Sequence, residues 1–282
     1  MKNTTLSILN DDLVIKQHIL KSYKEILCKE PTQENLDLYF QKIKNGEISF
    51  EGLHNYLKGS VEKKQSIKQI TQNFSLPTEE IFALIYQNKL WNKFSSTGTG
   101  ISSSGSGSNL EQTESIRTEL PKLLKELKIS SMLDIPCGDF LWMKEIDLGF
   151  ISYLGGDIVS EIIEMNNKKY SDYNRKFSKI NIINDPLPKT DLILCRYLLQ
   201  HFSFSDIWKS INNIKKSKSK YLLTTTQVDV KNNNNIPTGS FNPLNLLLPP
   251  FLFPPPIRII NEKCTVPNFE DVCLLLWKIS DL

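Results

Sequence analysis

The chain has 282 residues, of which 40% are hydrophobic and 23% are charged. This length and composition predict one large or two modest globular domains and exclude a disordered chain. Its 34 basic and 31 acidic residues nearly balance, whereas proteins that bind nucleic acid or an anionic membrane surface usually carry a clustered basic excess. No nucleic-acid partner is therefore expected.

The few cysteine and histidine residues argue against a metal site. The five cysteines are odd in number and form no C-x-x-C pair, and the three histidines are scattered, so neither a disulfide framework nor a zinc site is predicted. The N-terminal residues do not resemble a signal peptide. The longest apolar run, Leu246 to Phe253, is too short to cross a bilayer. We expect a cytoplasmic protein with no metal and no membrane span.

The first third of the chain has helical periodicity. Apolar residues at three- and four-residue spacing predict several helices between residues 11 and 92. Asn45-Gly46 is a turn signal between two of them, and Pro77 is followed by acids suited to a first helical turn. The sequence therefore predicts a helical N-terminal domain over residues 1–94.

A Ser/Gly-rich segment follows at residues 95–108. Its composition is typical of a flexible linker, and an alternative interpretation is a loop that closes over a ligand. Ser108-Asn109-Leu110-Glu111 then forms a capping box, S-x-x-E, which predicts the start of a helix that ends near Lys128. A second domain is expected over residues 109–282.

Apolar runs alternate with amphipathic segments from Ser131 onward. The predicted strands are Met132–Pro136, Tyr153–Asp157, Phe177–Ile182, Asp191–Cys195 and Tyr221–Thr226, and the predicted helices are Ser160–Tyr170 and Phe204–Lys216. This alternation predicts an α/β fold with a doubly wound, mostly parallel, Rossmann-like sheet. The last two strands, Ile257–Glu262 and Val272–Ile279, have no long helix between them, which predicts a C-terminal antiparallel hairpin.

The turn after the first strand is a candidate ligand site. In a doubly wound sheet, ligands bind at the carboxyl ends of the strands, so Asp134, Gly138 and Asp139 should line the site. A dinucleotide cofactor would require G-x-G-x-x-G for its pyrophosphate, and only Gly138 is present. The acidic turn instead suits a ligand with a cationic end.

The second strand ends in another acid, Asp157, which lies 19 residues after Gly138. An acid at about this distance typically accepts hydrogen bonds from the hydroxyls of a ribose. A ribose together with a cation, without a pyrophosphate, describes S-adenosylmethionine.

These motifs resemble those of the class I S-adenosylmethionine-dependent methyltransferases. The resemblance extends over residues 109–282, with its motifs between Met132 and Gln227. Asp134 to Asp139 resembles the first motif of that family, although Pro136 and Phe140 stand at common glycine positions and Asn181 replaces a common adenine-binding acid. The resemblance implies S-adenosylmethionine as cofactor, bound by Asp134, Cys137, Gly138, Asp139, Asp157, Ile158, Asn181, Ile182 and Cys195, with Thr113 and Arg117 near its carboxylate.

Residues after the fourth strand face the methyl acceptor in the resembled family. His201 is therefore a candidate general base, because its pKa is ordinarily near neutral pH; a structural histidine is the alternative. Arg196 is predicted to orient the acceptor. Neither Cys137 nor Cys195 is expected to be a nucleophile, since buried cysteines usually act as small apolar side chains.

The N-terminal helices also resemble a small helical domain of unknown function found beside glycan-modifying proteins. Together with the methyltransferase resemblance, this predicts methylation of a hydroxyl on a small molecule or glycan. An alternative is a degenerate methyltransferase fold that acts as an interaction protein. Nucleotide-sugar or nicotinamide chemistry is disfavoured by Asp139 and the missing glycines.

Overall fold

The computed structural model describes residues 2–72, 76–91, 100–266 and 268–282. It divides into two compact units, Met1–Ser66 and Ile67–Leu282. This division lies earlier than residue 94, the predicted boundary, which itself falls outside the described residues. Residues 95–99 of the predicted linker are also outside them. Among the described helices, none has the length and apolar character needed to cross a membrane.

Helices dominate the first third of the chain, as the periodicity predicted. They are α1 (Lys2–Leu27), α2 (Gln33–Lys44), α3 (Phe50–Thr71) and α4 (Thr78–Gln87). Thr32 caps α2, since its side-chain oxygen accepts a hydrogen bond from the Asn35 amide. The small unit has its own apolar cluster of residues from α1, α2 and α3: Ile19, Tyr23, Tyr39, Phe40, Leu53 and Leu57.

The large unit is built on a seven-stranded sheet. Its strands are β1 (Ser131–Asp134), β2 (Ser152–Asp157), β3 (Arg175–Lys179), β4 (Leu192–Cys195), β5 (Tyr221–Gln227), β6 (Arg258–Asn261) and β7 (Val272–Lys278). The order is β3-β2-β1-β4-β5-β7-β6. The first five strands are parallel, and β7 pairs antiparallel with both β5 and β6. The predicted doubly wound sheet with an antiparallel C-terminal hairpin is confirmed.

Both faces of the sheet are covered by apolar residues. The side chains of β4 alternate, so that Ile193 and Cys195 join one core cluster while Leu192 and Leu194 join the other. Helices α6 (Ser160–Tyr170) and α7 (Phe204–Lys216) contribute to the first cluster, and α5 (Glu114–Glu126) contributes to the second. Helix α4 packs with the first cluster through Ile81, Phe82 and Ile85.

Helix α5 starts later than the capping box predicted. Ser108 ends a 3₁₀ turn, and α5 begins at Glu114. The side chain of the adjacent Asn109 contacts the preceding loop, where its Oδ1 accepts a hydrogen bond from the Ser102 amide at 2.9 Å. The prediction of a helix start at Ser108 is therefore wrong, because the chain forms turns between Ser108 and Glu114 before the helix begins.

Candidate functional site

The strand order reverses between β1 and β4, because β2 and β3 lie on one side of β1 while β4 and β5 lie on the other. The carboxyl ends of β1, β2 and β4 therefore meet at a topological switch point, where doubly wound sheets bind their ligands. Asp134 ends β1, Asp157 ends β2 and Cys195 ends β4. The topology brings these three predicted site residues to one edge of the sheet.

Asp157 is held in place by backbone amides. Its Oδ2 accepts from the Gly138 amide at 3.2 Å, and its Oδ1 accepts from the Val159 amide at 2.9 Å. Burial raises the pKa of Asp157 to about 6, although these backbone hydrogen bonds act in the opposite direction. Each carboxylate oxygen has two lone pairs, so both retain capacity for a further hydrogen bond.

The Gly138 position requires glycine. Its φ is +53°, and a Cβ there would lie 2.4 Å from the Ser104 hydroxyl oxygen. The Gly138 carbonyl oxygen accepts from the Asn166 side-chain amide at 2.7 Å. Asn166 is a fully buried polar residue on the apolar side of α6, and its contribution was not predicted. A polar residue on an apolar helix face is the signal that could have identified it.

Asp134 is buried and bonded to a tyrosine. The Tyr153 hydroxyl donates to Asp134 Oδ2 at 2.8 Å. Burial raises the pKa of Asp134 to about 7, while the Tyr153 hydrogen bond and the charge of Arg196 act to lower it. Tyr153 was predicted only as the first residue of a strand, and its hydrogen bond to Asp134 was not predicted.

Phe140 follows the turn in a left-handed conformation, with φ of +59°. Glycine adopts this conformation without steric cost. A non-glycine residue there is strained by roughly 1–2 kcal/mol. The buried Phe140 ring offsets this strain by packing against the rings of Tyr153, Tyr170 and Phe177.

The two predicted cysteines, Cys137 and Cys195, are buried. Burial raises the pKa of Cys137 well above its ordinary value, and burial raises that of Cys195 to about 12. A thiol with such a pKa supplies almost no thiolate near neutral pH. Both side chains therefore pack as small apolar groups, Cys137 in the turn after β1 and Cys195 at the end of β4.

The predicted adenine-side residues follow β3. Asn181 Oδ1 accepts from the Ile183 amide at 2.9 Å, which forms a local Asx turn, and Ile182 is buried in the core. Ile158 is partly buried beside the same core cluster. To contact adenine as predicted, Asn181 Oδ1 would have to accept a second hydrogen bond in addition to the one from the Ile183 amide.

Arg117 lies in α5, the helix before β1, and Thr113 is the residue that immediately precedes this helix. The fully buried Thr113 hydroxyl donates within its own segment, to the carbonyl oxygens of Asn109 or Leu110. Arg117 Nη2 donates to the Leu110 carbonyl at 2.8 Å, whereas its buried Nε has no hydrogen-bond partner among the described residues. Arg117 therefore keeps a donor available, while the single hydroxyl proton of Thr113 is already used.

Arg196 is engaged in a buried ion pair. Its Nε donates to Glu262 Oε1 at 3.0 Å and its Nη2 donates to Glu262 Oε2. Burial alone would lower the pKa of Arg196, but the Glu262 carboxylate outweighs burial and raises it. The guanidinium also lies over the rings of Trp142 and Tyr197. This geometry does not favour the predicted role of orienting an acceptor, because the charged group is already neutralised.

His201 lies in a short 3₁₀ turn, Leu199–His201, after β4. Its Nδ1 is 2.8 Å from the Ser240 carbonyl oxygen. A carbonyl oxygen only accepts, so Nδ1 carries the proton and, in the neutral ring, Nε2 is the accepting nitrogen. The rings of Trp91 and Phe241 lie 6.2 and 5.4 Å away, centroid to centroid.

Two buried glutamines lie near the carboxyl ends of β4 and β5. Gln200 and Gln227 are each 1% exposed. Both amide atoms of Gln200, and Oε1 of Gln227, have no hydrogen-bond partner in the part of the chain that the structure describes. Their backbones bond to the same short segment, since Asn242 donates to the Gln200 carbonyl and Gln227 donates to the Leu244 carbonyl. Such buried unsatisfied groups are rare.

Similar solved structures include three methyltransferases. They are N-methyltransferase NodS from Bradyrhizobium japonicum WM9 with S-adenosyl-L-homocysteine (TM-score 0.47, 12% identity, covering 77% of this chain and 97% of that chain), human N-acetylserotonin methyltransferase with S-adenosylmethionine (TM-score 0.39, 13% identity, 80% and 79%), and the methyltransferase domain of bacterial CtHen1-C (TM-score 0.37, 12% identity, 44% and 72%). No protein-family model and no curated protein matches the chain.

Proposed function

We propose that this chain is an S-adenosylmethionine-dependent methyltransferase that acts on a hydroxyl of a small molecule or glycan. The observation that carries the proposal is the Asp157 carboxylate at the end of β2, fixed by the Gly138 and Val159 amides. This arrangement places a rigid acceptor of hydrogen bonds beside the glycine turn of β1. A ribose diol is the ligand group that such a carboxylate recognises.

The chemistry of the site fits S-adenosylmethionine better than a dinucleotide. Asp157 has lone pairs available for two ribose hydroxyls. The turn offers one glycine and the acid Asp139, so it provides no cradle of amides for a pyrophosphate. The Asp157 carboxylate instead gives this edge of the sheet a negative character above about pH 6, which suits a sulfonium and an ammonium group.

Several residues are assigned to the donor on these grounds. Asp157 would bind the ribose, and Asn181 and Ile182 would lie on the adenine side. Arg117 would bind the donor carboxylate, an assignment supported by its buried and unpartnered Nε among the described residues. When bound, S-adenosylmethionine supplies an electrophilic methyl group on a sulfonium.

His201 is assigned as the general base. Methyl transfer to a hydroxyl would form an O–C bond while the S–CH3 bond of the donor breaks, would leave S-adenosylhomocysteine as the product, and would require the hydroxyl proton to leave. Nε2 of the neutral ring takes that proton, and the Ser240 carbonyl stabilises the resulting imidazolium through Nδ1–H. The fixed tautomer supports this role, because the protonated nitrogen is the one that faces the backbone.

A polar acceptor is favoured by the glutamines near the ends of β4 and β5. The Gln200 amide lacks hydrogen-bond partners within the described residues, and so does Gln227 Oε1. Leaving such groups unpaired costs about 1–3 kcal/mol each, so a hydroxyl-rich ligand that pairs with them gains affinity and specificity.

The experiment first measures binding of S-adenosylhomocysteine and then measures transfer of a labelled methyl group. Isothermal titration with S-adenosylhomocysteine should show a single site. Incubation with tritium-labelled S-adenosylmethionine should then label monosaccharides such as glucose, and a matched amino sugar should be labelled no faster. Absence of S-adenosylhomocysteine binding would contradict the proposal and support the interaction-protein alternative.

A further inference from the structure

Residues 100–108, named the strap from here on, lie against the turn after β1. The Ser102 hydroxyl is 2.9 and 3.0 Å from the two carboxylate oxygens of Asp139. Ser103 donates to Asp139 Oδ2 from its amide at 2.6 Å and from its hydroxyl at 3.0 Å. In return, the Asp139 amide donates to the Ser104 hydroxyl oxygen at 2.9 Å. Three consecutive serines are therefore bonded to one acid of the predicted donor site.

A second anchor holds the other end of the strap. Arg196 Nη2 donates to the Gly107 carbonyl at 2.8 Å, in addition to its ion pair with Glu262. Gly107 also lies against the ring of Tyr197, since a Cβ at this glycine would come within 3.2 Å of it. The strap is thus attached to the turn after β1 at one end and to the residues after β4 at the other.

The strap has a defined internal structure. The Ser104 amide donates to the Ser102 hydroxyl at 3.0 Å, and the amide of Leu110, two residues after the strap, donates to the carbonyl of Gly100, its first residue, at 3.1 Å. Ser102 is fully buried. Hydrogen bonds from backbone to side chain and from end to end are features of a folded loop, not of a flexible linker.

The strap also touches the donor-binding turn directly. Ser104 approaches Gly138 so closely that a Cβ there would meet the Ser104 hydroxyl at 2.4 Å. The amide of the same glycine donates to Asp157. The strap, the turn and the proposed ribose-binding acid therefore form one connected series of contacts across the switch point of the sheet.

We propose that the strap closes the donor site, and that Asp139 and Arg196 are positioning residues that hold it there. Neither residue then binds the donor or the acceptor itself, because Asp139 is occupied by serines and Arg196 by Glu262 and Gly107. This inference rests on the proposed function. Donor leaves when the strap detaches from Asp139, so weakening the anchor speeds donor dissociation more than it slows association.

The test compares two variants that remove the hydrogen bonds between Asp139 and the strap serines, one by changing the acid and the other by changing the serines. Asp139→Asn removes the charge that binds the serines, and the double variant Ser102→Ala/Ser103→Ala removes the serine hydroxyls without altering the turn. Stopped-flow measurements with S-adenosylhomocysteine should give at least tenfold faster dissociation in both, with association rates within about threefold. Asp147→Asn is the matched control, because Asp147 is an exposed loop acid whose side chain accepts the Gly149 amide.

Hydrogen exchange adds a readout that does not depend on turnover. The amides of Ser103 and Ser104 should exchange faster in both variants, and S-adenosylhomocysteine should slow them in the unaltered chain. Arg196→Lys, which loses the planar geometry of the guanidinium, should speed dissociation as well. Melting temperatures verify that each variant is folded.

The possible outcomes distinguish failure of the strap inference from failure of the proposed function. If the unaltered chain binds no S-adenosylhomocysteine, the proposed function and the strap inference both fail. If it binds, and Asp139→Asn weakens binding while the serine double variant keeps the original dissociation rate, Asp139 is a direct donor ligand and only the strap inference is overturned.

Discussion

The carboxylate of Asp157 accepts a hydrogen bond from the amide of Gly138, 19 residues earlier in the chain, at 3.2 Å. The contact joins the carboxyl end of β2 to the turn after β1. A glycine turn and an acid about 20 residues later can both be recognised in a sequence, so the two residues were predicted as parts of the site, but the hydrogen bond between them was not. What the structure adds is that the acid also organises the turn.

Replacing Asp157 with Ala should weaken S-adenosylhomocysteine binding by more than tenfold. The ribose diol loses a charged acceptor, and a hydrogen bond to a charged group contributes about 1.5–3 kcal/mol. Titration calorimetry measures the change. Glu164→Ala, an exposed acid on α6, is the control for the altered charge and should bind normally. Unchanged affinity in the Asp157 variant would remove this residue from the proposed site.

Donor affinity should fall as the pH is lowered through 6. Burial raises the pKa of Asp157 to about 6, so the free protein takes up a proton there below that pH. Because the ribose is bound by the ionised carboxylate, the dissociation constant should rise about tenfold for each pH unit below 6. Asp157→Asn should bind more weakly but lose this dependence. A profile between pH 5 and 7 that is the same in both proteins would contradict the role.

Much of the α/β architecture was predictable because its elements have strong local patterns. Helices α6 and α7 have the predicted bounds, and the strands differ by a few residues at their ends. These segments combine apolar periodicity with clear turn signals, so local and tertiary preferences agree. The S-x-x-E pattern predicted the start of α5 at Ser108, but Ser106–Ser108 forms a 3₁₀ turn and the helix begins at Glu114.

The candidate site was predictable only in part, and sequence separation explains which part. Residues in the turn after β1 and at the end of β2 belong to recognisable motifs. Arg196 forms its ion pair with Glu262, which is 66 residues away in the sequence. Asp139 forms a hydrogen bond with Ser102, which is 37 residues away. Such pairings depend on how the chain closes, so Arg196 and Asp139 were assigned from their motif positions alone.

The two compact units lead to a prediction about fragments. We propose that a fragment over residues 67–282 folds and binds S-adenosylhomocysteine. A fragment that starts at Ser106 loses Ile81, Phe82 and Ile85 of α4 and Leu90 from the core. Each such side chain contributes roughly 1.5–3 kcal/mol, so the shorter fragment should be unfolded or insoluble. Circular dichroism and calorimetry decide this, and normal binding by the shorter fragment would restore the boundary expected from the sequence.

His201→Ala should lower turnover while donor affinity stays within about threefold. A positioned base typically accelerates such a reaction by about 10²–10⁴-fold, and the imidazole serves the acceptor side only. Tritium transfer gives the rate and calorimetry gives the affinity. His54→Ala, an exposed histidine in the small unit, is the control of the same residue type. Lost donor binding would make His201 structural, and unchanged turnover would mean that another group takes the proton.

Gln200→Met should separate stability from activity. The Gln200 amide is buried with no partner among the described residues, so an apolar side chain of similar shape relieves an unpaired polar group and should raise the free energy of unfolding by about 1 kcal/mol.

If the same amide recognises a hydroxyl-rich acceptor, kcat/KM for that acceptor should fall by tenfold or more while donor affinity is kept. Two buried threonines of β5 serve as controls for the effect on the free energy of unfolding. Thr226 Oγ1 has no hydrogen-bond partner within the described chain, whereas the Thr224 hydroxyl donates to the Cys195 carbonyl at 2.7 Å. Thr226→Val should therefore be neutral or stabilising and Thr224→Val destabilising. A Gln200→Met enzyme that is more stable and fully active would show that the amide has no part in acceptor binding.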